Sequence, residues 1–305
     1  MSRRRSTSPP RLVLVDKPIG PTSFDVVRAV RRVVGERRVG HGGTLDPFAS
    51  GLLVIGVGPA TRLMNFAAQG DKIYRATMHF GAETDSADLT GEIVEESGHV
   101  PTLDVLRDAS KAFLGEIEQI PPRHSAIKID GQRAYARARA GEDFEVPARR
   151  VTIHALEILE HDGESASFEV VCSGGTYVRT LARDLARAVG ARAHLTALRR
   201  THSGALSVDE AIPLDQLEDV AAQGDPTLDP AVFTRGWPRL DLDCAQVDHV
   251  RHGGQPESDW WEDRFDEVPS LVALCCPDGE LVAVAEAADD GDLRLAMVLP
   301  QGVQA

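Results

Sequence analysis

Gly40-His41-Gly42-Gly43-Thr44-Leu45-Asp46-Pro47 is the most informative segment of this 305-residue chain. Its last two residues place an aspartate directly before a proline, which biases the backbone of Asp46 towards an extended conformation. The glycines ahead of Asp46 allow backbone turns that other residues resist. We therefore expect a loop that presents the carboxylate of Asp46 and the imidazole of His41 into a cleft. A presented carboxylate can act as a nucleophile, a general base or a metal ligand, and this segment alone does not distinguish them.

The composition is that of a folded protein with room for one large and one small domain, since 42% of the residues are hydrophobic. No segment approaches the roughly 20 apolar residues that span a bilayer, and the N-terminus lacks the apolar core of a signal peptide. The cysteines form no C-x-x-C pair, which favours reduced thiols over a zinc site. These features predict a cytoplasmic protein without membrane association and without a metal site.

The net charge of −14 is unevenly distributed along the chain. Residues 1–205 hold 28 Lys and Arg against 25 Asp and Glu, whereas residues 206–305 hold 5 against 22. A strongly basic domain, the usual footprint of a nucleic-acid binder, is therefore absent. The first two thirds are near neutral and can still carry a local basic face, although the acidic segment 81–91 is not expected to contact RNA. The arginines at 28, 31, 32, 37 and 38 form either a phosphate-binding surface or a charged face that only contacts solvent.

The residue pattern predicts an α+β fold, because hairpin signals and scattered helices replace regular β-α-β alternation. Alternating polarity over 72–80 predicts a half-buried strand, and apolar spacing after Thr22 or Ser23 predicts a capped helix. A linker is expected at 223–230, with three short strands beyond it. The further predicted elements are strands at 11–16, 52–57, 151–159, 167–172, 271–276, 281–285 and 293–299, and helices at 59–68, 101–114, 132–140 and 177–189.

Four separated segments matter together: 16–23, 40–47 followed by Gly51, 72–75, and 175–180. In this order and spacing they closely resemble the TruB-type family of pseudouridine synthases. The similarity extends to Pro121-Pro122, Ser125-Ala126, Lys128, Gly131 and Tyr135, and to Leu198-Arg199-Arg200 with Ser203-Gly204. Most of residues 11–215 is covered. One departure is Ser50, where a threonine is usual.

The resemblance implies an isomerase that converts uridine to pseudouridine at position 55 in the T-loop of tRNA. It implies the mixed, mostly antiparallel sheet of the pseudouridine synthase fold with flanking helices, and an appended RNA-binding module of PUA type. We therefore expect a disordered tail at 1–10, a catalytic domain at 11–235 and a small β-rich, PUA-like domain at 236–305. The expected partner is the T-arm of tRNA, with no obligate protein partner and a monomeric chain.

The chemistry of this isomerisation needs no cofactor, because the base is detached, turned and reattached without redox change or group transfer. It does need an ionised carboxylate that attacks the ribose C1′ or the uracil C6, and Asp46 is the candidate nucleophile. Desolvation would favour the protonated acid, and a nearby guanidinium would keep it charged. The resemblance assigns that pairing role to Arg179.

The target base must leave the helical stack to be reached, at a cost that aromatic stacking can offset. By the resemblance, Tyr74 is the stacking platform, His41 fills the space that the base vacates, and Leu198 packs the pocket. Tyr177 positions the base or helps to remove the C5 proton. The remaining predicted substrate-binding residues are Lys17, Gly43, Thr44, Arg199 and Arg200. Lys17 can instead fix a turn, and the two arginines can instead be solvated charges.

Three alternatives stay open at this point. A guide-RNA-dependent synthase of archaeal and eukaryotic ribonucleoproteins shares the aspartate loop, although the segment 125–140 looks like the stand-alone bacterial form. A non-catalytic tRNA folding factor would use the same contacts without needing Asp46. A glycosidase would act at the same anomeric carbon, but such enzymes usually need two carboxylates flanking the bond, and one is well placed here.

Overall fold

The computed structural model describes residues 8–122 and 144–301 and, between these two ranges, residues 128–129, 132–133, 137 and 142. Most of the predicted tail, residues 1–7, lies outside the described residues. Over these described residues, every helix is too short or too polar to span a bilayer.

The strands, in chain order, are β1 (Arg11–Lys17), β2 (Val39–His41), β3 (Ser50–Val57), β4 (Lys72–Phe80), β5 (Ala82–Thr84), β6 (Ile93–Glu96), β7 (Gly115–Gln119), β8 (Lys128–Ile129), β9 (Gln132–Arg133), β10 (Arg149–His161), β11 (Ser165–Cys172), β12 (Ala193–Ser203), β13 (Leu206–Ser207), β14 (Ile212–Pro213), β15 (Arg239–Asp241), β16 (Leu271–Cys275), β17 (Leu281–Ala287) and β18 (Leu293–Val298). The α-helices are α1 (Ser23–Val34), α2 (Met64–Gln69), α3 (Leu103–Ser110), α4 (Val178–Ala188), α5 (Leu217–Gln223) and α6 (Cys244–Arg251).

The chain divides into two compact units. The first unit comprises Met1–Leu45, Leu52–Ala67 and Gly204–Ala305, and the second comprises Asp46–Gly51 and Ala68–Ser203. The aspartate of the glycine-rich segment therefore opens the second unit, while the glycines before it belong to the first.

The second unit is built on a sheet whose strands follow the order β12-β4-β11-β10-β7, with antiparallel neighbours throughout. Ser50 and Gly51, at the start of β3, add a parallel pairing with β12. Helix α3 packs against β10 and α4 packs against β12. The predicted α+β class, with a mixed and mostly antiparallel sheet flanked by helices, is confirmed.

Strand β4 shows the alternation that its sequence predicts. Tyr74 and Ala76 are buried, whereas Arg75 between them is exposed. Apolar and aromatic side chains at every second position cover one face of the sheet because successive Cβ atoms of a strand point to opposite faces. This period places Tyr74 on the buried face, where the candidate site is found.

The first unit starts from the apolar run of β1, whose residues Leu12 to Val15 are almost fully buried. Helix α1 begins after Thr22, which closes a capping box: its side chain accepts from the Asp25 backbone N–H, and Asp25 accepts from the Thr22 backbone N–H at 2.9 Å. Val26 and Val30 bury the apolar stripe of the helix. The predicted cap and helix are confirmed.

The end of the chain forms a four-stranded sheet of order β15-β16-β17-β18 within the first unit. One face, with Ala273 and Cys275, shares a core with Leu12 and Leu14 of β1. The other face packs against α6 through side chains that include Val272. The β-rich character of this region is confirmed, while its identity as a PUA-type module stays a prediction.

Three predicted helices differ from the structure. The segment 101–114 is α-helical only over Leu103–Ser110, followed by a 3₁₀ turn at Lys111–Phe113 and an extended Leu114. The segment 59–68 splits into a 3₁₀ turn at Gly58–Arg62 and the shorter α2, because the turn makes i to i+3 bonds after Pro59. At 132–140, Gln132 and Arg133 pair as a strand with Lys128 and Ile129, and most of the remaining residues lie outside the described part.

Candidate active site

Asp46 opens the second unit in a short turn that its neighbours anchor. Its carbonyl oxygen accepts from the backbone N–H of Ala49 at 3.1 Å, and Phe48 and Ala49 are buried. The Asp46 side chain itself is 34% exposed. The buried residues Phe48 and Ala49 therefore anchor the turn, while the carboxylate of Asp46 stays reachable, as a nucleophile requires.

Gly51, five residues after Asp46, fixes how closely this loop approaches β12. Its φ of +107° lies in the left-handed region, and a Cβ at this position would overlap the backbone of Arg200. Only glycine fits such a close approach without displacing a strand. The loop that carries Asp46 is thus held against one defined residue of the sheet.

Arg179 lies at the start of α4, and its side chain is 3% exposed. Its Nε is 3.0 Å from Asp46 Oδ2. A cation at a helix N-terminus is disfavoured by the helix dipole, and a buried cation needs a partner. The contact with Asp46 supplies that partner, so the structure joins the two residues that the sequence prediction paired.

Asp88 is a second carboxylate on the same guanidinium, and the sequence interpretation missed it. Its Oδ2 lies 3.2 Å from Arg179 Nη1, which also donates to the carbonyl of Ser86 at 2.7 Å. The other oxygen of Asp88 accepts from the Ser86 hydroxyl and from the Thr90 backbone N–H at 2.8 and 2.9 Å. Asp88 and the Ser86 carbonyl therefore orient the guanidinium of Arg179 through Nη1, while its Nε contacts Asp46.

The acidic composition of residues 81–91 concealed this contact. The structure buries Asp88 almost completely, so this carboxylate does not belong to a solvated acidic surface. A usable signal was present in the alternation Ser86, Asp88, Thr90, since hydroxyls two residues either side of a carboxylate can satisfy it when it is buried.

Tyr74 lies on the buried face of β4, directly opposite Arg200 of β12. Its side chain is nearly buried, and Arg200 Nη1 lies 3.5 Å from its hydroxyl oxygen. Burial raises the pKa of Tyr74, the positive charge of Arg200 opposes this, and the negative charge of Asp46 adds to it. The ring is thus held within the electrostatic reach of the candidate nucleophile.

Tyr177 is the residue before α4, two positions from Arg179. Its backbone is clamped by the buried side chain of Gln119, which accepts from the Tyr177 N–H at 3.0 Å and donates to the Tyr177 carbonyl at 3.3 Å. The guanidinium of Arg149 lies 5.9 Å from the centre of the ring. Gln119 is a second positioning residue that the sequence interpretation missed, because nothing around it in the chain indicates this contact across the fold.

Leu198 and Arg199 follow the alternation of β12. Leu198 is buried opposite Ala76, on the face that carries Tyr74. Arg199 points to the other face, where its Nη1 donates to Ser50 Oγ at 3.4 Å. The strand therefore brings Leu198 to the same side of the sheet as Tyr74 and directs Arg199 away from it.

The other predicted residues lie in the first unit. Lys17 is fully buried, and its ammonium donates to the carbonyls of Pro18 and Pro21 at 2.9 and 2.8 Å. These are the contacts of the turn-fixing alternative. His41 ends β2, and its Nδ1 accepts from the Gly43 backbone N–H at 3.4 Å. Thr44 is exposed.

The assembled site is suited to a reaction that uses an ionised carboxylate. It combines an accessible carboxylate, a buried guanidinium that contacts it, and a tyrosine ring on the adjoining face. A guanidinium at 3 Å favours the ionised form of a carboxylate. Over the residues that the structure describes, His, Cys, Asp and Glu side chains form no group of three or more that could hold a metal ion.

Comparison with known proteins places this site in a family. Residues 31–178 match the model of the N-terminal domain of the TruB family of pseudouridylate synthases. Residues 179–233 match the model of the C-terminal domain of tRNA pseudouridylate synthase B. The boundary between the two models falls at the start of α4, directly before Arg179.

Two bacterial relatives and one solved structure agree with this match. The tRNA pseudouridine synthase B of Leifsonia xyli is 43% identical over 285 residues, which is 90% of this chain and 92% of the relative. That of Bordetella pertussis is 47% identical over 221 residues, 72% of this chain and 91% of the relative. The crystal structure of a Cbf5–Nop10–Gar1 complex contains a chain with a TM-score of 0.75 at 26% identity, covering 96% of this chain and 85% of that one.

The fold, the geometry around Asp46 and these similarities lead to one conclusion. The chain belongs to the TruB family of pseudouridylate synthases and is an isomerase.

Proposed function

We propose that this protein converts uridine 55 in the T-loop of tRNA to pseudouridine, with Asp46 as the nucleophile and without a cofactor. The observation that carries the proposal is the contact of 3.0 Å between Arg179 Nε and Asp46 Oδ2, with the carboxylate about one third exposed. The names of the bacterial relatives, tRNA pseudouridine synthase B, support tRNA as the substrate.

The reaction is balanced without an external reagent. The N1–C1′ bond of the uridine breaks, the base turns, and a C5–C1′ bond forms. The proton on C5 leaves and N1 gains a proton. A carboxylate that adds to C1′ or to C6 and later departs assists the exchange without being consumed. Attack at C1′ and attack at C6 are two forms of this proposal.

The other site residues support the steps on either side of the chemistry. The target base has to leave its stack at a cost of about a few kcal/mol. Stacking on a tyrosine ring, worth about 1–3 kcal/mol per base, can offset part of that cost. Tyr74 would provide the ring and Leu198 the apolar wall. Tyr177, fixed by Gln119, would hold the base or assist removal of the C5 proton. His41 would fill the space left in the RNA, and Gly43 and Thr44 would contact the bound segment. Lys17 would fix the turn through the carbonyls of Pro18 and Pro21.

The chain would act alone on tRNA. Its identity to the bacterial enzymes exceeds 40%, compared with 26% to the Cbf5 chain of a multiprotein complex. This difference favours a single-chain enzyme over a guide-RNA-dependent one.

The test is release of tritium from tRNA transcripts that carry [5-³H]uridine, with no guide RNA or second protein. The proposal predicts one equivalent released per transcript, and none from a transcript in which uridine 55 is replaced by cytidine. Equal release from both transcripts would refute the position. Release that requires an added guide RNA would refute the single-chain assignment.

A further inference from the structure

Arg200 is a buried cation for which the proposed chemistry gives no role. It is 2% exposed, so its burial is not that of a solvated charge. Removing a guanidinium from water costs several kcal/mol unless neighbouring groups compensate. The contacts of Arg200 therefore have to compensate this cost.

The backbone of Arg200 is fixed from the side of the nucleophile loop. Arg200 pairs with Gly51 of β3, and Gly51 approaches so closely that any Cβ would overlap the Arg200 backbone. Because Gly51 lies at the start of β3, five residues after Asp46, this close approach fixes the end of the nucleophile loop against Arg200 of β12.

The side chain of Arg200 points to the face that carries Tyr74. The two residues are direct cross-strand neighbours, and the guanidinium Nη1 lies 3.5 Å from the Tyr74 hydroxyl oxygen. Arg199, one residue earlier, faces the other way and reaches Ser50 instead. The strand alternation therefore directs Arg200, and not its neighbour, to the tyrosine.

The charge of Arg200 affects the pKa values of other side chains on this face. The pKa of Lys72, two residues before Tyr74, is lowered to about 8 by burial and then by the Arg200 charge. The same charge opposes the upward shift that burial imposes on the pKa of Tyr74. In a low-dielectric interior a cation near a phenol oxygen interacts strongly with it.

We propose that Arg200 is a positioning residue for the isomerisation, which holds the Tyr74 hydroxyl and thereby the tilt of the ring that meets the flipped uracil. The hydroxyl lies at the far end of the long axis of the ring, so a restraint there prevents tilting while leaving the stacking face open. This inference rests on the proposed role of Tyr74. It assigns Arg200 to the tyrosine and not to an RNA phosphate.

The test is a double-mutant cycle with Arg200→Met and Tyr74→Phe, measured by single-turnover rate and by tRNA affinity. Methionine fills similar volume without the charge. We expect each variant to lower the rate about 10- to 100-fold, the loss typical of a misplaced group, with tRNA affinity within about 3-fold. The double variant should be no slower than the slower single variant, because both remove one contact. Arg75→Met, on the exposed face of the same strand, is the matched control and should keep the wild-type rate.

A spectroscopic measurement separates positioning from a general loss of structure. The chain has three tyrosines, so ¹³Cζ-tyrosine labelling gives few resonances, and the Tyr74 resonance is the one missing from Tyr74→Phe. Arg200→Met should shift that resonance and Arg75→Met should not. If Arg200→Met does not fold, Arg200→Lys is measured instead. The proposal then requires that any loss of rate in Arg200→Lys be accompanied by a shift of the Tyr74 resonance.

The inference is overturned if the two rate losses multiply, if Tyr74→Phe retains the wild-type rate, or if Arg200 variants lose tRNA affinity instead of rate. A slow Arg200 variant with an unmoved Tyr74 resonance also overturns it. These results are distinct from failure of the proposed function, which would appear as wild-type protein that forms no pseudouridine.

Discussion

Arg179 contacts Asp46 through Nε and the buried Asp88 through Nη1. Its orientation therefore depends on Asp88 as well as on the candidate nucleophile. Replacing Asp88 by Asn keeps the size of the side chain but removes the charge 3.2 Å from Nη1. We expect turnover to fall about 10- to 100-fold, because a small displacement of Arg179 misplaces the nucleophile. Single-turnover kinetics check this, with Asp85→Asn on the exposed part of the same loop as control. Equal rates for the two variants would contradict a role of Asp88 in orienting Arg179.

Lys72 buries an ammonium, which makes the stability of the protein depend on pH in an unusual direction. The pKa of Lys72 is lowered from 10.5 to about 8, mainly by burial. Below pH 8 the folded state must bury a charge that the unfolded chain keeps in water. Between pH 8 and 10.5 the unfolded state binds more protons at this site, so the free energy of unfolding rises with pH.

The expected rise attributable to Lys72 is up to about 3 kcal/mol. It is measured as the difference in free energy of unfolding between wild type and Lys72→Met at several pH values. The neighbouring Cys172 thiol, with its pKa raised to about 11 by burial, stays neutral over most of this range. Lys111→Met, at an exposed lysine, is the control and should give a flat difference. A flat difference for Lys72→Met would contradict the burial argument.

Among the elements, the start of β3 has the tightest steric requirement near the site. Gly51 combines a positive φ with a backbone approach that excludes a Cβ, whereas Gly81 has a similar φ of +105° and open space around it. Gly51→Ala should therefore cost about 1–3 kcal/mol more than Gly81→Ala, the usual range for overpacking. Chemical denaturation measures both. Equal losses would mean that backbone strain alone explains the Gly51 position.

Regular elements could be predicted where one period dominates the sequence. Strand β4 and helix α1 follow from alternation and from a capping box, both of which are local. Strand β12 is harder to predict from the sequence, because two charged residues, Arg199 and Arg200, lie within it. A buried arginine in a strand becomes understandable only when its cross-strand partner Tyr74 is known.

The site was predictable to the same extent. Asp46 and Arg179 emerge from motifs spaced along the chain, because their family pattern is local around each of them. Gln119 does not, since its contact is with Tyr177, 58 positions away in sequence. The hydroxyls around Asp88 indicate its burial, but not its contact with Arg179. A single sequence records the neighbours of a residue along the chain and not those across the fold.

For the whole molecule, the charge distribution limits where tRNA can bind. The last hundred residues are strongly acidic, while α1 presents exposed arginines that include Arg28 and Arg32. RNA affinity depends on phosphate contacts and falls with salt. If α1 contributes, Arg28→Gln with Arg32→Gln should flatten the dependence of log affinity on log salt by about 0.7–0.9 for each phosphate that is no longer neutralised.

A matched pair of substitutions isolates this effect from net charge. Arg239 and Arg294 are also exposed and ion-paired, but they lie in the acidic terminal sheet. Changing both to Gln alters the net charge equally and should leave the salt slope unchanged. Similar slopes for the two double variants would assign the α1 arginines to a solvated face.

The most direct measurement on the whole enzyme is pseudouridine formation by Asp46→Asn, with excess protein over an unmodified tRNA transcript and with tRNA affinity measured in parallel. Asparagine keeps the shape of the side chain and its place beside Arg179 but cannot supply the anionic oxygen. We predict no pseudouridine at position 55 and an affinity within about 3-fold of wild type, since binding alone does not need the charge. Product formed by Asp46→Asn at a rate near that of the wild type would contradict the assignment of Asp46 as the nucleophile.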